Sequence, residues 1–218
     1  MRHSSREFWS GQLHGQAVVL ALSRIGKVAA ATTATALIER FGVTQIVFTG
    51  VAGGLGVDVA VGDVVIGNAY LQHDMDASPL FPKYEVPLTG LSVFPGHTGL
   101  VGALAGACAT ALAGLPGPAR AAQVQQGLIV SGDRFVNGAA EVRAMVDALQ
   151  DCGYAPLAVE MEGAAVAQVC ADYAIPFAAV RTISDRADDT AHVDFPQFVT
   201  TVASVYARAI IANWLQTR

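Results

Sequence analysis

The sequence predicts an α/β fold in which helices cover a mainly parallel sheet. Apolar runs with strand character alternate with segments whose apolar residues recur at helical spacing. The runs are apolar on both faces, as expected for strands buried beneath helices on either side. The chain has 218 residues, a length that one α/β unit often reaches, and neither a linker nor an internal repeat divides it. We therefore expect a single domain that spans residues 1–218.

The predicted elements alternate along the chain. Strands are expected over residues 16–23, 45–49, 64–69, 123–130, 157–159 and 177–183. Helices are expected within 25–42, over 99–115 and 140–150, between the last two strands, and over 196–216. Gly42 stands where a C-terminal glycine cap belongs. The segment 73–96 is rich in proline and is predicted to be a long irregular excursion, which often indicates a functional or interface role.

Composition excludes several classes of function. Hydrophobic residues make up 53% of the chain and charged residues 14%, which indicates a large core rather than disorder. The net charge of −5 and the lack of a basic face argue against a nucleic-acid partner. We find neither a membrane span nor a signal peptide, and the three cysteines lack metal-ligand spacing. We expect a cytoplasmic protein that has no membrane partner, metal or cofactor.

Polar stretches mark the ends of three predicted strands. They are GVAGGLG (50–56), SGDRFVNG (131–138), and the pair EME (160–162) with RTISD (181–185). Ligands of open α/β sheets bind at the carboxyl ends of the strands, so these stretches are candidates for one site. The glycine-rich stretch, which we predict to be a loop, lacks the GxGxxG spacing and the Walker lysine. It is either a tight turn or a place where the backbone approaches a flat ligand.

Each polar residue has a simpler interpretation when it is taken alone. Phe135 could belong to the core, or it could stack on a flat heterocycle. Glu160 and Glu162 could compensate the charge of a helix N-terminus, and Asp185 could be a helix cap or turn residue. Carboxylates are costly beside so much apolar sequence, however. The three stretches together therefore predict a polar pocket.

Five motifs carry a resemblance to a known family. SRIGKVAAA (23–31), TGVAGGL (49–55), GLIVSGDRFVNG (127–138), AVEMEGAAVAQVC (158–170) and VRTISDRADD (180–189) follow one another in register. They resemble the methylthioadenosine/S-adenosylhomocysteine nucleosidases of the purine nucleoside phosphorylase superfamily. This resemblance implies a three-layer α/β/α fold with a central mixed, mainly parallel sheet. It also implies a hydrolase that cleaves the N-glycosidic bond and releases adenine without a cofactor or metal.

The resemblance implies a set of residues around the base. Asp185 would hydrogen-bond adenine N7 and protonate it during the reaction, and Ser184 would position that aspartate. Phe135 would stack on the purine, and the backbone of Val136 would read the adenine edge. Gly53, in the glycine-rich stretch, would let the backbone come close to the ligand.

A second set is implied around the sugar. Met161 would pack under the ribose and Glu162 would accept hydrogen bonds from its hydroxyls, with Glu160 lining the same pocket. Arg181 would hold the attacking water near the anomeric carbon. Phe195 would line the pocket near the 5′ substituent.

The resemblance further implies a homodimer with the 73–96 segment at its interface. Leu80 and Phe81 in that segment would cross to the pocket of the neighbouring subunit.

Two departures from the family pattern affect the expected activity. The family begins with a strand whose glutamate activates the attacking water, whereas Glu7 to Gly15 aligns with the usual second strand. We expect either a truncated or misassigned start or the loss of this base, and hence poor hydrolysis by the 218-residue chain. Loss of that strand would also leave the backbone groups of its neighbour unpaired. In addition, Val51 stands where the family commonly has serine.

Three alternatives stay open. The chain could cleave another purine nucleoside, such as futalosine, or it could bind nucleosides without cleaving them. It could also be a phosphorylase, although Phe48 and Val51 occupy the places where an arginine and a hydroxyl would grip phosphate.

Overall fold

The computed structural model describes residues 1–3, 5–186 and 195–218. The described strands are β1 (Arg2–His3), β2 (Arg6–Leu13), β3 (Gln16–Ala21), β4 (Ile46–Gly54), β5 (Val64–Gln72), β6 (Val93–Pro95), β7 (Val124–Ser131), β8 (Pro156–Glu160) and β9 (Phe177–Asp185). The described α-helices are α1 (Lys27–Phe41), α2 (Thr98–Gly114), α3 (Ala139–Asp151), α4 (Gly163–Asp172), α5 (Phe195–Phe198) and α6 (Ser204–Gln216). A 3-10 helix (Gly117–Ala121) precedes β7, and a π-helical segment (Val199–Ala203) joins α5 to α6.

The main sheet closes on itself. Its strand order is β6-β5-β7-β8-β4-β9, and an additional pairing of β5 with β9 makes five of the strands into a ring. The pairs β5–β7, β7–β8 and β4–β9 are parallel, whereas β4–β8, β5–β9 and β5–β6 are antiparallel. The predicted mixed α/β class is thus confirmed. The barrel-like closure was not predicted, because it depends on strand pairs that are distant in sequence.

The glycine-rich stretch is not a loop. Residues 50–54 continue β4, and Gly53 and Gly54 pair with β8. A Cβ at Gly50 would lie 2.7 Å from Nη1 of Arg181, and a Cβ at Gly54 would lie 3.1 Å from the side chain of Ile183. The glycines are needed because neighbouring side chains occupy that space, so the predicted loop is corrected to a strand with a crowded surface.

A separate three-stranded antiparallel sheet (β1-β2-β3) precedes α1. Phe8 of β2 is fully buried and its ring stacks on Phe41 of α1, with ring centroids 4.7 Å apart. Helix α1 ends at Gly42, which adopts the left-handed conformation and donates its N–H to Ile38 O, as the sequence predicts for this cap. The helix is thereby fixed with its N-terminus beside the main sheet.

The helices pack on the ring in three apolar clusters. Helices α1 and α4 cover residues of β4, β5 and β9, while α2 and α6 pack on other residues of β5 and β9. Helix α3 contributes to a third cluster beside β7 and β8. In the part of the chain that the structure describes, no helix has both the length and the apolar character needed to cross a membrane. Cys108, Cys152 and Cys170 are all free thiols.

Candidate active site

Four strand ends surround a cavity of about 210 Å³. Strand β4 contributes its glycine-containing end, β8 and β9 contribute their last residues, and the loop after β7 closes one side. Eight of the residues predicted for the site line this cavity: Gly53, Phe135, Val136, Glu160, Met161, Glu162, Ser184 and Asp185. The structure therefore brings together polar stretches that lie far apart in the sequence.

One wall of the cavity carries the residues predicted for the base. The Ser184 hydroxyl donates a hydrogen bond of 2.6 Å to Oδ2 of Asp185, which fixes the orientation of this carboxylate. Phe135 is 44% exposed and lines the cavity. Val136 is buried beside it and anchors the loop in the third apolar cluster. A carboxylate restrained by a hydroxyl and an aromatic ring thus line the same cavity.

Glu160 is the centre of a buried polar network. Nη2 of Arg181 lies 2.5 Å from its Oε2, and both side chains are almost completely buried. The Ser131 hydroxyl and the Glu162 and Gly163 amides donate hydrogen bonds to the same carboxylate. A buried charge needs such compensation to be tolerated. The described contacts use most of the acceptor capacity of Glu160, so it fixes Arg181 and the start of α4 more readily than it binds a ligand.

Arg181 has two further donors that lie beside a second cavity. Its guanidinium is 4.2 Å from the centroid of the Phe48 ring, and its Nε and Nη1 are buried without a hydrogen-bond partner among the described residues. The second cavity, about 1030 Å³, separates β3 from β4 and is also lined by Glu162. Buried donors without partners are rare in native proteins. The two donors are therefore suited to hold a ligand atom or a water.

Glu162 is the N-cap residue of α4 and lines both cavities. Its Oε1 accepts a 2.9 Å hydrogen bond from the Gly26 amide, which precedes α1. Burial raises the pKa of Glu162 above the usual range of a glutamate, and the negative charge of Glu160 raises it further. The Gly26 amide and Arg181 act in the opposite direction. The two carboxylates thus have different partners: Arg181 binds Glu160, and the Gly26 amide binds Glu162.

Four of the predicted residues are not among those lining the smaller cavity. Arg181 lies behind Glu160 and lines the larger cavity instead. Leu80 is 84% exposed on the 73–96 segment and Phe81 is half-buried, and neither lines either of the two cavities of this chain. Phe195 begins α5, but its side chain lies outside what the structure describes.

Several residues at the site were not predicted to belong to it. Ile25 lines the smaller cavity, and Lys27, Asp74 and Asp133 form a polar cluster beside it. In the sequence, Gly26 directly before α1 could have pointed to this cluster. In the structure its φ of 95° and ψ of 157° are accessible mainly to glycine. A glycine directly before a helix, followed by a lysine, indicates a turn that needs outside support. Among the described residues, no group of three His, Cys, Asp or Glu could hold a metal ion.

Comparisons with known proteins find relatives over nearly the whole chain. The family model of the phosphorylase superfamily matches residues 1–215. A 5′-methylthioadenosine/S-adenosylhomocysteine nucleosidase from Shewanella piezotolerans is 36% identical over 206 residues, which are 94% of this chain and 84% of that protein.

Two solved structures have similar folds. The nucleosidase of the same name from Neisseria meningitidis, in complex with methylthio-immucillin-A, has a TM-score of 0.88 and 36% identity. That match covers 100% of this chain and 89% of the other. Futalosine hydrolase from Helicobacter pylori has a TM-score of 0.86 and 30% identity, and the match covers 100% of this chain and 87% of the other.

Proposed function

This chain belongs to the 5′-methylthioadenosine/S-adenosylhomocysteine nucleosidases of the phosphorylase superfamily, and from that premise we propose how its residues share the reaction. It is a hydrolase that cleaves the N-glycosidic bond of these nucleosides and releases adenine. Cleavage of this bond leaves negative charge on the purine and positive charge on the ribosyl ring. Some residues around the cavity are proposed to stabilise the charge on the purine and others the charge on the ribosyl ring. No step needs a cofactor.

Asp185 is proposed as the general acid for the base. A proton delivered to adenine N7 neutralises the leaving purine as the glycosidic bond breaks. The hydrogen bond from Ser184 restrains this carboxylate, which lines the cavity. Phe135 stacks on the purine, the backbone of Val136 reads its edge, and Gly53 lets the strand approach the ligand.

Glu162 is proposed to hold the sugar. Its carboxylate accepts hydrogen bonds from the ribose hydroxyls, and these become stronger as the ring becomes cationic. Interactions that strengthen in the transition state are the ones that accelerate the chemical step. Met161 packs under the ribose, and Phe195 is proposed near the 5′ substituent.

Arg181 is proposed to hold the attacking water through its two unpartnered donors. Glu160 keeps the guanidinium in place through the 2.5 Å ion pair. Glu160 itself is a weak candidate for the base that activates this water, because the Gly163 amide and Nη2 of Arg181 already donate hydrogen bonds to its oxygens. We assign Glu160 the role of positioning Arg181.

One observation carries the proposal: Asp185 and Glu162 line the same cavity from different strand ends. The test is to incubate the purified chain with methylthioadenosine, with and without inorganic phosphate, and to quantify adenine and the sugar product by chromatography. We expect both adenine and free methylthioribose to form, with phosphate and without it. Adenine released only with phosphate would identify a phosphorylase, and binding without any release would identify an inactive homologue.

A second nucleoside is the main alternative substrate. Val51 lines the cavity where the family commonly has a hydroxyl, and the futalosine hydrolase fold is similar to this one. The same acid and sugar-binding residues would serve that reaction. Specificity constants for methylthioadenosine and futalosine, measured side by side, decide between them, and we expect methylthioadenosine to be preferred.

We also propose a homodimer in the cytoplasm. Leu80 and Leu88 of the 73–96 segment are 84% and 91% exposed, so apolar side chains of this segment are accessible to a partner. A neighbouring subunit would cover them, and Leu80 and Phe81 would then reach its pocket. Three free thiols suit a reducing compartment.

A further inference from the structure

A polar cluster ties the start of α1 to three strand ends. The Gly26 amide donates to Oε1 of Glu162 at 2.9 Å, and the Lys27 amide donates to Oδ1 of Asp133 at 2.7 Å. Nζ of Lys27 lies 2.6 Å from Oδ1 of Asp74, and the Asp133 amide donates to Oδ2 of Asp74 at 2.9 Å. We call Lys27, Asp74 and Asp133 the Lys27 clamp. Its three members lie on separate segments, so the clamp joins the α1 turn to the loops after β5 and β7.

The ion pair of the clamp is sheltered from solvent. The side chains of Lys27 and Asp74 are 15% and 33% exposed. Burial alone would raise the pKa of Asp74, but the hydrogen bonds from Lys27 and from the Asp133 amide lower it below its usual value. A charge-assisted hydrogen bond in such a place is stronger than an exposed one. The ion pair can therefore restrain the backbone conformation of the turn before α1.

The turn that the clamp holds does not keep its shape by itself. Gly26 has a φ of 95° and a ψ of 157°, and Arg24 has a φ of 67°, which is unfavourable for a residue with a side chain. Glycine also loses more conformational freedom on ordering than any other residue. A Cβ at Gly26 would lie 3.1 Å from Oδ1 of Asp133, so the turn and the clamp fit closely. External contacts are needed to keep the Gly26 amide aimed at Glu162.

We propose that Lys27 is a positioning residue for Glu162: the clamp holds the Gly26 amide, and this amide orients the carboxylate toward the ribose. The inference rests on the proposed function, which assigns Glu162 to the sugar hydroxyls. The clamp acts on the sugar side of the pocket. Asp185 and Ser184, on the base side, are held by their own hydrogen bond and by β9.

Because the clamp is proposed to act on the sugar side alone, its loss should affect methylthioadenosine but not free adenine. In Lys27→Met the Asp133 amide can still hold Asp74, so the loop that carries Phe135 keeps its anchor. We expect kcat/KM for methylthioadenosine to fall roughly ten-fold, the effect of one charge-assisted hydrogen bond. The dissociation constant of adenine, measured by calorimetry, should change by less than about two-fold, because the proposed function assigns Glu162 to the ribose hydroxyls, which free adenine lacks.

Three further variants sharpen the experiment. Lys27→Arg keeps a cation and should recover most of the activity. Asp74→Asn weakens the same ion pair from the other side, and in the double variant with Lys27→Met the two losses should not add. Arg2→Met removes an exposed ion-paired cation whose side chain is 84% exposed, and it should behave as the unmodified chain.

The outcomes separate the two proposals. Equal losses of adenine and nucleoside binding in Lys27→Met and Asp74→Asn would overturn the clamp, because they indicate general damage to the pocket. Unchanged kcat/KM in both variants would overturn it as well. If the unmodified chain released no adenine, only the proposed function would fail. Calorimetric affinities for methylthioadenosine and adenine would then test the clamp without catalysis.

Discussion

Arg181 and Glu160 form an ion pair of 2.5 Å in which both side chains are almost completely buried. The pair joins β9 to the end of β8, and Gly50 of β4 leaves the space that the guanidinium occupies. Three strands of the closed ring therefore meet at one charged contact. Glu160 of this pair also lines the smaller cavity, which is the proposed active site.

Neutralising one member of this pair should destabilise the fold. In Glu160→Gln the buried guanidinium of Arg181 loses its counter-charge, and we expect the free energy of unfolding to fall by about 3 kcal/mol. Urea denaturation monitored by circular dichroism measures this change. The double variant Glu160→Gln with Arg181→Met removes both charges and should lose less than the sum of the single variants. Strictly additive losses would mean that the pair is not coupled.

Asp185→Asn should remove the general acid while keeping the shape of the side chain. We expect kcat for methylthioadenosine to fall about 100- to 10,000-fold, the usual contribution of a positioned proton donor. The dissociation constant of adenine should change little, and Asp147→Asn on the exposed surface of α3 serves as the matched control. A near-normal kcat in Asp185→Asn would contradict the assigned role.

Phe135→Ala should weaken binding of the base. Stacking of a base on an aromatic ring contributes about 1–3 kcal/mol, so we expect the dissociation constant of adenine to rise roughly ten-fold. Tyr173→Ala is the control, since its ring has a similar exposure of 40% and lies at the end of α4, away from the cavity. Calorimetry gives both affinities, and equal values for the two variants would exclude stacking.

The raised pKa of Glu162 predicts two opposite pH trends. The ionised carboxylate binds the ribose hydroxyls more strongly than the neutral acid, in which one oxygen carries a proton, so kcat/KM should fall as pH drops through a pKa above the usual range of a glutamate. The stability of the fold should depend on pH in the opposite direction. Because the folded state binds this proton more tightly than the unfolded chain, the contribution of Glu162 is present at acidic pH and is lost as pH rises through the folded pKa.

The variant Glu162→Gln separates those trends. The free energy of unfolding of Glu162→Gln minus that of the unmodified chain should increase from acidic to neutral pH. The activity of the variant should be lower at every pH. The exposed Glu7→Gln is the control. Denaturant titrations at several pH values measure both unfolding free energies, and a value for the variant minus that for the unmodified chain that decreases from acidic to neutral pH would refute the assignment.

Leu80→Glu tests the proposed dimer. A charge on this exposed side chain should prevent it from being buried in a partner, so sedimentation should shift from dimer toward monomer. Val57→Glu places the same charge on a side chain that is 93% exposed outside the 73–96 segment, and it should leave the assembly intact. A monomeric unmodified chain would show that the dimer does not form.

The local parts of this architecture could be read from the sequence. Apolar runs predicted β3, β4, β5, β7, β8 and β9 but missed β1, β2 and β6, of which β6 lies in the segment predicted to be irregular. Gly42 marked the end of α1 because a left-handed cap needs no distant contact. The acidic residues Glu160 and Glu162 were correctly placed at a strand-to-helix junction, since periodicity changes there within a few residues. Only the resemblance to a known family could name their expected roles.

The tertiary structure alone decided which distant residues meet. Gly26 contacts Glu162 across 136 positions of the sequence, and Lys27 contacts Asp74 across 47. The glycine-rich stretch resembled a loop because its glycines had no local reason to be in a strand; the reason is the guanidinium of Arg181 packed against Gly50. The closure of the ring likewise depends on β5 pairing with β9. Secondary structure follows from local chain properties, whereas a buried charge finds its partner only when the whole chain has packed.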